Sequence, residues 1–306
     1  MDKDLSLFKK YLMYFNERFP IAGALLYAGT LFYLSYYSAN LFFDHFPTNH
    51  FNSIIGFVVI FLSLLHLRIF DEHKDYENDK VAHPERMLSK GIITLSDLRN
   101  LLYVVLIIEA GLSIYLGSQI FIIWIIIILW SYLMYVEFFV PEFLNKHIGL
   151  YLISHQLIVP ITFVFGLAQR VHIERFSNQE FCTLIILFIA STCSTITYEI
   201  ARKTWSKEKE HEYADSYTKA WGIKKTIIIN QVIALISCFG FLYIYNLSNL
   251  SIIYHIITLL FYFVFLISEI LFMLKPEKKN SKIVELTGIL YLLCVFLNSC
   301  IGFANI

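Results

Sequence analysis

Long apolar runs separated by short charged connections dominate the pattern of hydrophobic and polar positions along this chain. A run of roughly 17–25 apolar residues is long enough to cross a lipid bilayer as an α-helix. The pattern therefore predicts an all-α integral membrane protein with nine transmembrane helices. These predicted spans lie near residues 21–43, 51–70, 101–117, 119–139, 150–168, 181–198, 226–246, 251–273 and 283–304.

Composition agrees with this class, because 58% of the residues are hydrophobic, far above the usual share in soluble domains. The polar segment 1–19 carries interspersed apolar positions, which predicts an amphipathic helix lying at the membrane surface. No long linker interrupts the chain, so residues 1–306 are interpreted as one domain. Within it, spans one to four and five to eight form two similar halves, with the ninth span appended. The net charge is zero, and no basic stretch indicates a nucleic-acid partner.

Lysines and arginines are distributed unevenly between the two sides of the membrane that these spans define. If the N-terminus is cytoplasmic, alternate connections carry nearly all of the 24 basic residues. The opposite side has only Arg170 and Arg175, and Arg68 falls at a span end. Because cytoplasmic loops of membrane proteins are enriched in Lys and Arg, the pattern predicts a cytoplasmic N-terminus. It places the loops after spans two and six on the same side.

An acidic stripe follows the second span. Asp71, Asp75 and Asp79 recur every four residues, so on a helix they share one face. Such a stripe at a membrane edge is costly unless cations neutralise it, and a divalent metal ion that bridges to a phosphate would do so. A second charged segment, Tyr198 to Lys203, follows the sixth span. The loops after both segments are long enough to form helical lids over a cavity mouth.

Nearly the whole chain resembles the UbiA-type intramembrane prenyltransferase superfamily. The usual first motif of that superfamily is Asn-Asp-x-x-Asp-x-x-x-Asp. Here Asp71 stands at the Asn place, Glu72 stands at the first Asp place, and Asp75 and Asp79 match outright. The segment 86–94 looks like the family's Arg-Pro-Leu-x-x-Gly-x-Ile-Ser, with Met in place of the proline.

Three further positions support the resemblance. Arg18-Phe19-Pro20 is similar to the family's first-helix start, while Lys146 and Pro160 fall near its phosphate-contacting lysine and helix-five proline. The second motif departs from the family, which usually has Asp-x-x-x-Asp where this chain has Glu199 to Lys203. Glu199 and Lys203 share a helix face and can pair with each other. Alternatively, the cations of this segment can contact pyrophosphate directly.

The charge pattern and the resemblance together define a candidate site. We expect Mg²⁺ to be the cofactor, because it prefers oxygen ligands and often binds with substrate phosphates. The expected catalytic and metal-binding carboxylates are Asp71, Asp75, Asp79 and Glu199. The candidate pyrophosphate ligands are Arg68, Lys74, Arg86, Lys146, Arg202 and Lys203. The aromatic rings expected to line the prenyl groove and steady a carbocation are those of Tyr132, Tyr135 and Tyr198.

Three classes of function are compatible with this site. The first is transfer of a prenyl group from a prenyl pyrophosphate to an aromatic or other lipid-accessible acceptor. The second is a terpene cyclase that acts on the same pyrophosphate without an acceptor, which suits the altered second motif. The third is a membrane binding or transport scaffold that has lost its metal. Membrane lipid surrounds the protein in all three.

Overall fold

A computed structural model describes residues 6–42, 48–171, 177–210 and 216–306, and every regular element in them is a helix. The chain divides into two compact units. Unit 1 comprises Met1–Phe32 and Asn49–Pro141, and unit 2 comprises Tyr33–Thr48 and Glu142–Ile306. The division at Pro141 falls between the fourth and fifth predicted spans.

The first helices of the chain meet at a bend. Helix α1 (Leu7–Arg18) precedes helix α2 (Ile21–Tyr37), which continues through a short 3₁₀ turn to Leu41, and the two directions differ by 64°. The other helices of unit 1 are α3 (His50–Lys74), α4 (Tyr76–Ala82), α5 (Leu95–Leu116) and α6 (Ser118–Tyr135). The helices that follow are α7 (Pro141–Lys146), α8 (Ile148–Gln156), α9 (Ile158–Leu167), α10 (Asn178–Arg202), α11 (Tyr217–Trp221), α12 (Ile223–Leu247), α13 (Ile252–Leu274) and α14 (Lys278–Ala304).

Eight helical spans in the described part of the chain are long and apolar enough to cross a membrane, and the bent α1–α2 pair gives a ninth when taken as one. The predicted all-α membrane fold is confirmed. Each predicted span from the second to the ninth overlaps an observed one. The first predicted span ends at residue 43, which lies outside the described residues, as do Arg175 and residues 1–5 of the predicted surface segment.

Local sequence signals set several helix ends. Thr94 caps α5, because its hydroxyl accepts a hydrogen bond from the Asp97 amide at 3.1 Å and its own amide donates to the Asp97 carboxylate at 2.9 Å. Gly117, at φ 117°, separates α5 from α6. Pro160 lies in the first turn of α9, just after the break from α8. Proline is tolerated there because the amides of a first turn have no carbonyl partner within the helix. The boundary predicted between the third and fourth spans is confirmed.

Helix α1 packs on unit 1 through one face. Tyr14 is buried in a cluster with Ile69 and Leu98, and the Tyr11 hydroxyl donates to the carbonyl of Asp97 at 2.9 Å. Other apolar residues of the helix, Leu7, Phe8 and Leu12, are exposed. A helix is therefore present over Leu7–Arg18, and one face of it belongs to the core of unit 1. Its place at the membrane surface stays a prediction.

A buried polar cluster joins α3, α5 and α6 within the membrane-spanning part of unit 1. The His66 ring contacts the Glu109 carboxylate through Nδ1 at 2.9 Å and the Ser131 hydroxyl through Nε2 at 3.0 Å. Trp124 donates its indole N–H to Glu109 at 2.9 Å. Since each buried polar group has a partner, the cluster links the three helices.

Candidate active site

The acidic stripe spans a helix break. Helix α3 ends at Lys74, Asp75 occupies the junction, and α4 begins at Tyr76. The amide of Asp75 still donates to the carbonyl of Asp71, and the amide of Asp79 to that of Asp75, both at 2.8 Å. The four-residue hydrogen bonding expected for one helix therefore continues through the junction. Asp71 is exposed, whereas Asp75 and Asp79 are half-buried.

Glu72, next to the stripe, is the buried carboxylate of this segment. Its side chain is 2% exposed, and its Oε1 accepts from Arg18 Nε at 2.7 Å and from Arg68 Nε at 3.0 Å. Arg18 comes from α1, whereas Arg68 lies one turn earlier on α3. Arg68, a predicted pyrophosphate ligand, is thus engaged with Glu72.

Asp79 is also held by two arginines. Arg18 Nη2 lies 3.3 Å from its Oδ2, and Arg86 Nη1 donates to the same oxygen. Arg18 therefore bridges α3 and α4. We call Arg18, Arg68, Glu72, Asp79 and Arg86 the first charged cluster.

Lys74 and the aromatic candidates lie in the same unit. The Lys74 ammonium is 3.9 Å from the carboxylate of Glu137, in the turn after α6. The Tyr135 ring stacks on Phe70 of α3, with centroids 5.3 Å apart, and its centroid is 6.2 Å from that of Tyr132. Unit 1 thus brings together a lysine and two of the three predicted tyrosines.

The turn after α6 has an unusual backbone. Glu137, Phe138 and Phe139 have φ values of 47°, 53° and 61°, a left-handed region that non-glycine residues rarely adopt. Consecutive residues in this region are strained, and such strain is commonly stored at functional sites. The turn carries the carboxylate that faces Lys74.

The second charged cluster, Glu199, Arg202 and Lys203, lies at the C-terminal end of α10 in unit 2. Arg202 Nη2 is 2.8 Å from Oε1 and 2.7 Å from Oε2 of Glu199, and Lys203 Nζ is 3.5 Å from Oε1. Both cations also suit the negative end of the helix dipole. The pairing of Glu199 with Lys203, one of the two alternatives from the sequence, is present, and Arg202 shares it.

Buried neighbours fix the helix end that carries this cluster. The amide of Tyr217 donates to the carbonyl of Lys203 at 3.2 Å, and the Tyr217 side chain is buried below the Lys203 ammonium. Burial raises the pKa of Tyr217 above its ordinary value, and the Glu199 carboxylate raises it further. A Cβ built on Gly288 of α14 would lie 2.7 Å from Cβ of Ala201, so the two helices approach closely.

The two remaining predicted residues, Lys146 and Tyr198, also lie in unit 2. Lys146 is exposed at the end of α7. Tyr198 is half-buried on α10, with Cδ2 3.9 Å from a Cβ built on Gly288. The predicted site residues are therefore divided between the units, with Asp71, Asp75, Asp79, Arg68, Lys74, Arg86, Tyr132 and Tyr135 in unit 1 and Lys146, Tyr198, Glu199, Arg202 and Lys203 in unit 2.

The donor set suits a metal ion that arrives with a phosphate ligand. In residues 6–42, 48–171, 177–210 and 216–306, no three His, Cys, Asp or Glu side chains are grouped so as to hold a metal ion. Mg²⁺, however, is often bound by one or two carboxylates together with substrate phosphates and water. The half-buried carboxylate of Asp75 and the exposed one of Asp71 are of that type, and the arginines beside them suit phosphate oxygens.

Sequence reasoning did not assign Arg18 to the site, although it noted the residue at the start of the first helix. Its partners Glu72 and Asp79 are 54 and 61 residues away, and no local spacing reveals such pairs. Tyr217 was missed for the same reason. A lone arginine directly before an aromatic residue and a proline is the only local signal at Arg18.

Comparison with known proteins gives one family and two similar structures. The sequence model of the UbiA prenyltransferase family matches residues 46–287. A solved structure of digeranylgeranylglyceryl phosphate synthase in membranes is similar, with a TM-score of 0.69 and 20% identity over 99% of this chain and 100% of that one. The apo structure of a UbiA homologue from Aeropyrum pernix K1 has a TM-score of 0.65 and 11% identity over 88% and 96%. At such identities these likenesses establish the fold alone. No curated protein sequence matches the chain.

Proposed function

This chain belongs to the UbiA prenyltransferase family and is a prenyltransferase, and we propose that it transfers a prenyl group from a prenyl pyrophosphate. The proposed acceptor is an aromatic or other lipid-accessible molecule, and the proposed cofactor is Mg²⁺. The observation that carries the proposal is the acidic stripe beside the first charged cluster. Carboxylates for a divalent ion and two arginines for phosphate oxygens, Arg68 and Arg86, occur there within one short segment.

In this proposal Asp71 and Asp75 are the principal Mg²⁺ ligands, with Asp79 near them and Glu199 a further metal-side carboxylate. When bound, Mg²⁺ neutralises charge that develops on the departing pyrophosphate. Arginine is suited to the same group, since its planar fork matches two phosphate oxygens. We propose that Arg86 and Lys74 exchange their carboxylate partners for the substrate, and that Arg68 contacts a phosphate oxygen while it stays bound to Glu72.

Arg202 and Lys203 have the corresponding role in the second charged cluster. The family's second aspartate is replaced here by Lys203, which makes this segment more positive. A more positive segment suits a trianionic leaving group held with less metal. We propose that both cations contact pyrophosphate oxygens and that Lys146 is a further phosphate contact.

The prenyl chain requires an apolar, aromatic surface. Tyr135, which is stacked on Phe70, and Tyr132, which is tilted against Tyr135, provide ring faces in unit 1, and Tyr198 provides one in unit 2. The face of an aromatic ring attracts cations, so these rings suit the allylic cation that forms as pyrophosphate leaves.

Incubation of the purified full chain with labelled prenyl pyrophosphates of several lengths and Mg²⁺ tests the proposal. Products are identified by mass, with and without aromatic and lipid acceptors. A prenylated acceptor is the expected product. A hydrocarbon or terpene alcohol formed without acceptor would instead identify a cyclase, which the altered second motif favours. No turnover with any chain length or acceptor would identify a non-catalytic scaffold.

We further propose that the N-terminus and both charged clusters face the cytoplasm, since the basic residues concentrate in the corresponding loops. A reporter fused after Ile306 tests this orientation. With nine spans, the reporter is expected on the far side of the membrane. A cytoplasmic reporter would contradict the orientation or the number of spans.

A further inference from the structure

Two departures from the family's first-motif region both contact α1. Glu72, which stands where the family has an aspartate, accepts from Arg18 at 2.7 Å. Met87, which stands where the family has a proline, donates its amide to the Glu17 carboxylate at 3.2 Å. Proline has no amide hydrogen and could not make that bond. Both positions thus contact the last turn of α1, and the bond from Met87 is one that the family's proline could not make.

The surroundings of Glu72 do not suit a metal ion. The carboxylate is 2% exposed, and two guanidinium groups lie within 3.0 Å of Oε1. A divalent cation bound there would lie beside two positive charges in a poorly hydrated place, which Coulomb repulsion opposes. By contrast, the neighbouring Asp71 is exposed.

We propose that Glu72 is a positioning residue and not a metal ligand: with Arg18 and Arg68 it fastens α1 to the acidic segment, and through Arg18 it fixes Asp79. This inference rests on the proposed function, since it assigns the metal to the neighbouring aspartates. Helix α1 then helps to position the acidic stripe through Arg18.

The bridge formed by Arg18 explains how α1 acts on the stripe. One guanidinium contacts Glu72 at the end of α3 and Asp79 on α4, on either side of the helix junction at Asp75. Release of Arg18 would leave Asp79 with Arg86 and remove the link across the junction. The orientation of Asp75 would then be less restricted.

Amide hydrogen exchange and metal binding in Glu72→Gln and Arg18→Gln variants test the inference without turnover. Exchange is followed at residues 7–18 in the full chain in lipid nanodiscs. Mn²⁺ binding is followed by electron paramagnetic resonance in the presence of inorganic pyrophosphate. The matched controls are Glu77→Gln and Lys9→Gln, which remove the same charges from exposed positions on α4 and α1.

Both variants should speed amide exchange in α1 by about tenfold or more, because each loses a charge-assisted hydrogen bond that opposes opening of the helix. Both controls should leave the exchange rate unchanged. The double variant should add little to either single one, because the two residues act as a pair. Mn²⁺ affinity should stay within about twofold of the wild type, since no metal ligand is lost.

Two results would overturn the inference. One is a loss of Mn²⁺ affinity of about tenfold or more in Glu72→Gln, as expected for a metal ligand. The other is unchanged exchange of α1 in Arg18→Gln, which retains Glu72 and Arg68 and removes only the tether. The proposed function fails separately, if Asp75→Asn leaves Mn²⁺ binding intact while the exchange results hold.

Discussion

The two charged clusters hold their carboxylates in different ways. In the first, Glu72 and Asp79 share an arginine that lies 54 and 61 residues away in the sequence. In the second, Glu199 is paired with cations three and four residues further along the same helix. The first cluster therefore depends on the packing of α1, α3 and α4, whereas the second needs only one helical turn.

Exposure follows the same division. Glu72 is 2% exposed, whereas Glu199 is 19% exposed and its partner Arg202 is 45% exposed. A buried carboxylate that loses a partner is left uncompensated, whereas an exposed ion pair is replaced by water at little cost. We infer that the first cluster fixes structure as well as chemistry, and that the second can rearrange for a ligand without moving helices.

The largest expected effect is on the acidic stripe. Asp75→Ala should lower kcat/KM for prenyl pyrophosphate by about a thousandfold or more, because several kcal/mol of metal-assisted charge stabilisation is lost. The protein should remain folded, since Asp75 lies at a helix junction. Glu77→Ala, at an exposed position on α4, is the control. A folded Asp75→Ala variant with near-normal kinetics would contradict the proposed metal site.

The next effect compares the clusters directly. Glu72→Gln should lower the free energy of unfolding by about 3 kcal/mol, because it unbalances a buried pair. Glu199→Gln should lower it by less than about 1 kcal/mol, because its partners are local and partly exposed. Thermal unfolding in the same detergent measures both. Equal losses would show that sequence separation and burial do not distinguish the clusters.

The cations of the second cluster should affect substrate binding. Arg202→Ala and Lys203→Ala should each raise KM for prenyl pyrophosphate and lower kcat. In each variant the lost phosphate contact should cost about 1.5–3 kcal/mol in kcat/KM. Lys203→Asp, which restores the family pattern, should increase the Mg²⁺ dependence of the remaining activity. Lys207→Ala, at an exposed position after α10, should have no effect. Wild-type kinetics in both alanine variants would identify Arg202 and Lys203 as ordinary surface cations.

The smallest effect concerns the packing that holds the second cluster. Gly288→Ala should destabilise the protein by about 1–2 kcal/mol, because the added methyl meets Ala201 of α10 at 2.7 Å. Gly111→Ala is the matched control, since no heavy atom lies within 4 Å of its built Cβ. That control should be neutral or slightly stabilising, as alanine favours helix. Equal behaviour of the two variants would mean that α10 and α14 do not need close contact.

Features with a local cause were predictable from the sequence, and those formed by distant residues were not. The apolar runs predicted the helices, and the start of α5 has a local cause in the capping pair of Thr94 and Asp97. The pairing of Glu199 with Lys203 followed from their four-residue spacing. The bridge from Arg18 to Glu72 brings together residues of α1 and α3, where Tyr14 packs against Ile69, and no local pattern predicts that packing.

The break at Asp75 was not predicted either. The spacing of the three aspartates suits one continuous helix, and the four-residue hydrogen bonds do continue through the break. Asp75 itself has φ −93° and ψ 3°, outside helical values, and no glycine or proline marks the position in the sequence. The roles of the aspartates in catalysis remain predictions.

Release of pyrophosphate from a prenyl pyrophosphate, followed with and without divalent cation, tests the central claim most directly. The full chain in nanodiscs is treated with a chelator, and Mg²⁺ is then restored. We expect release that stops on chelation, recovers with Mg²⁺ and is lost in Asp75→Ala. Release that persists without divalent cation, or that survives in Asp75→Ala, would contradict it.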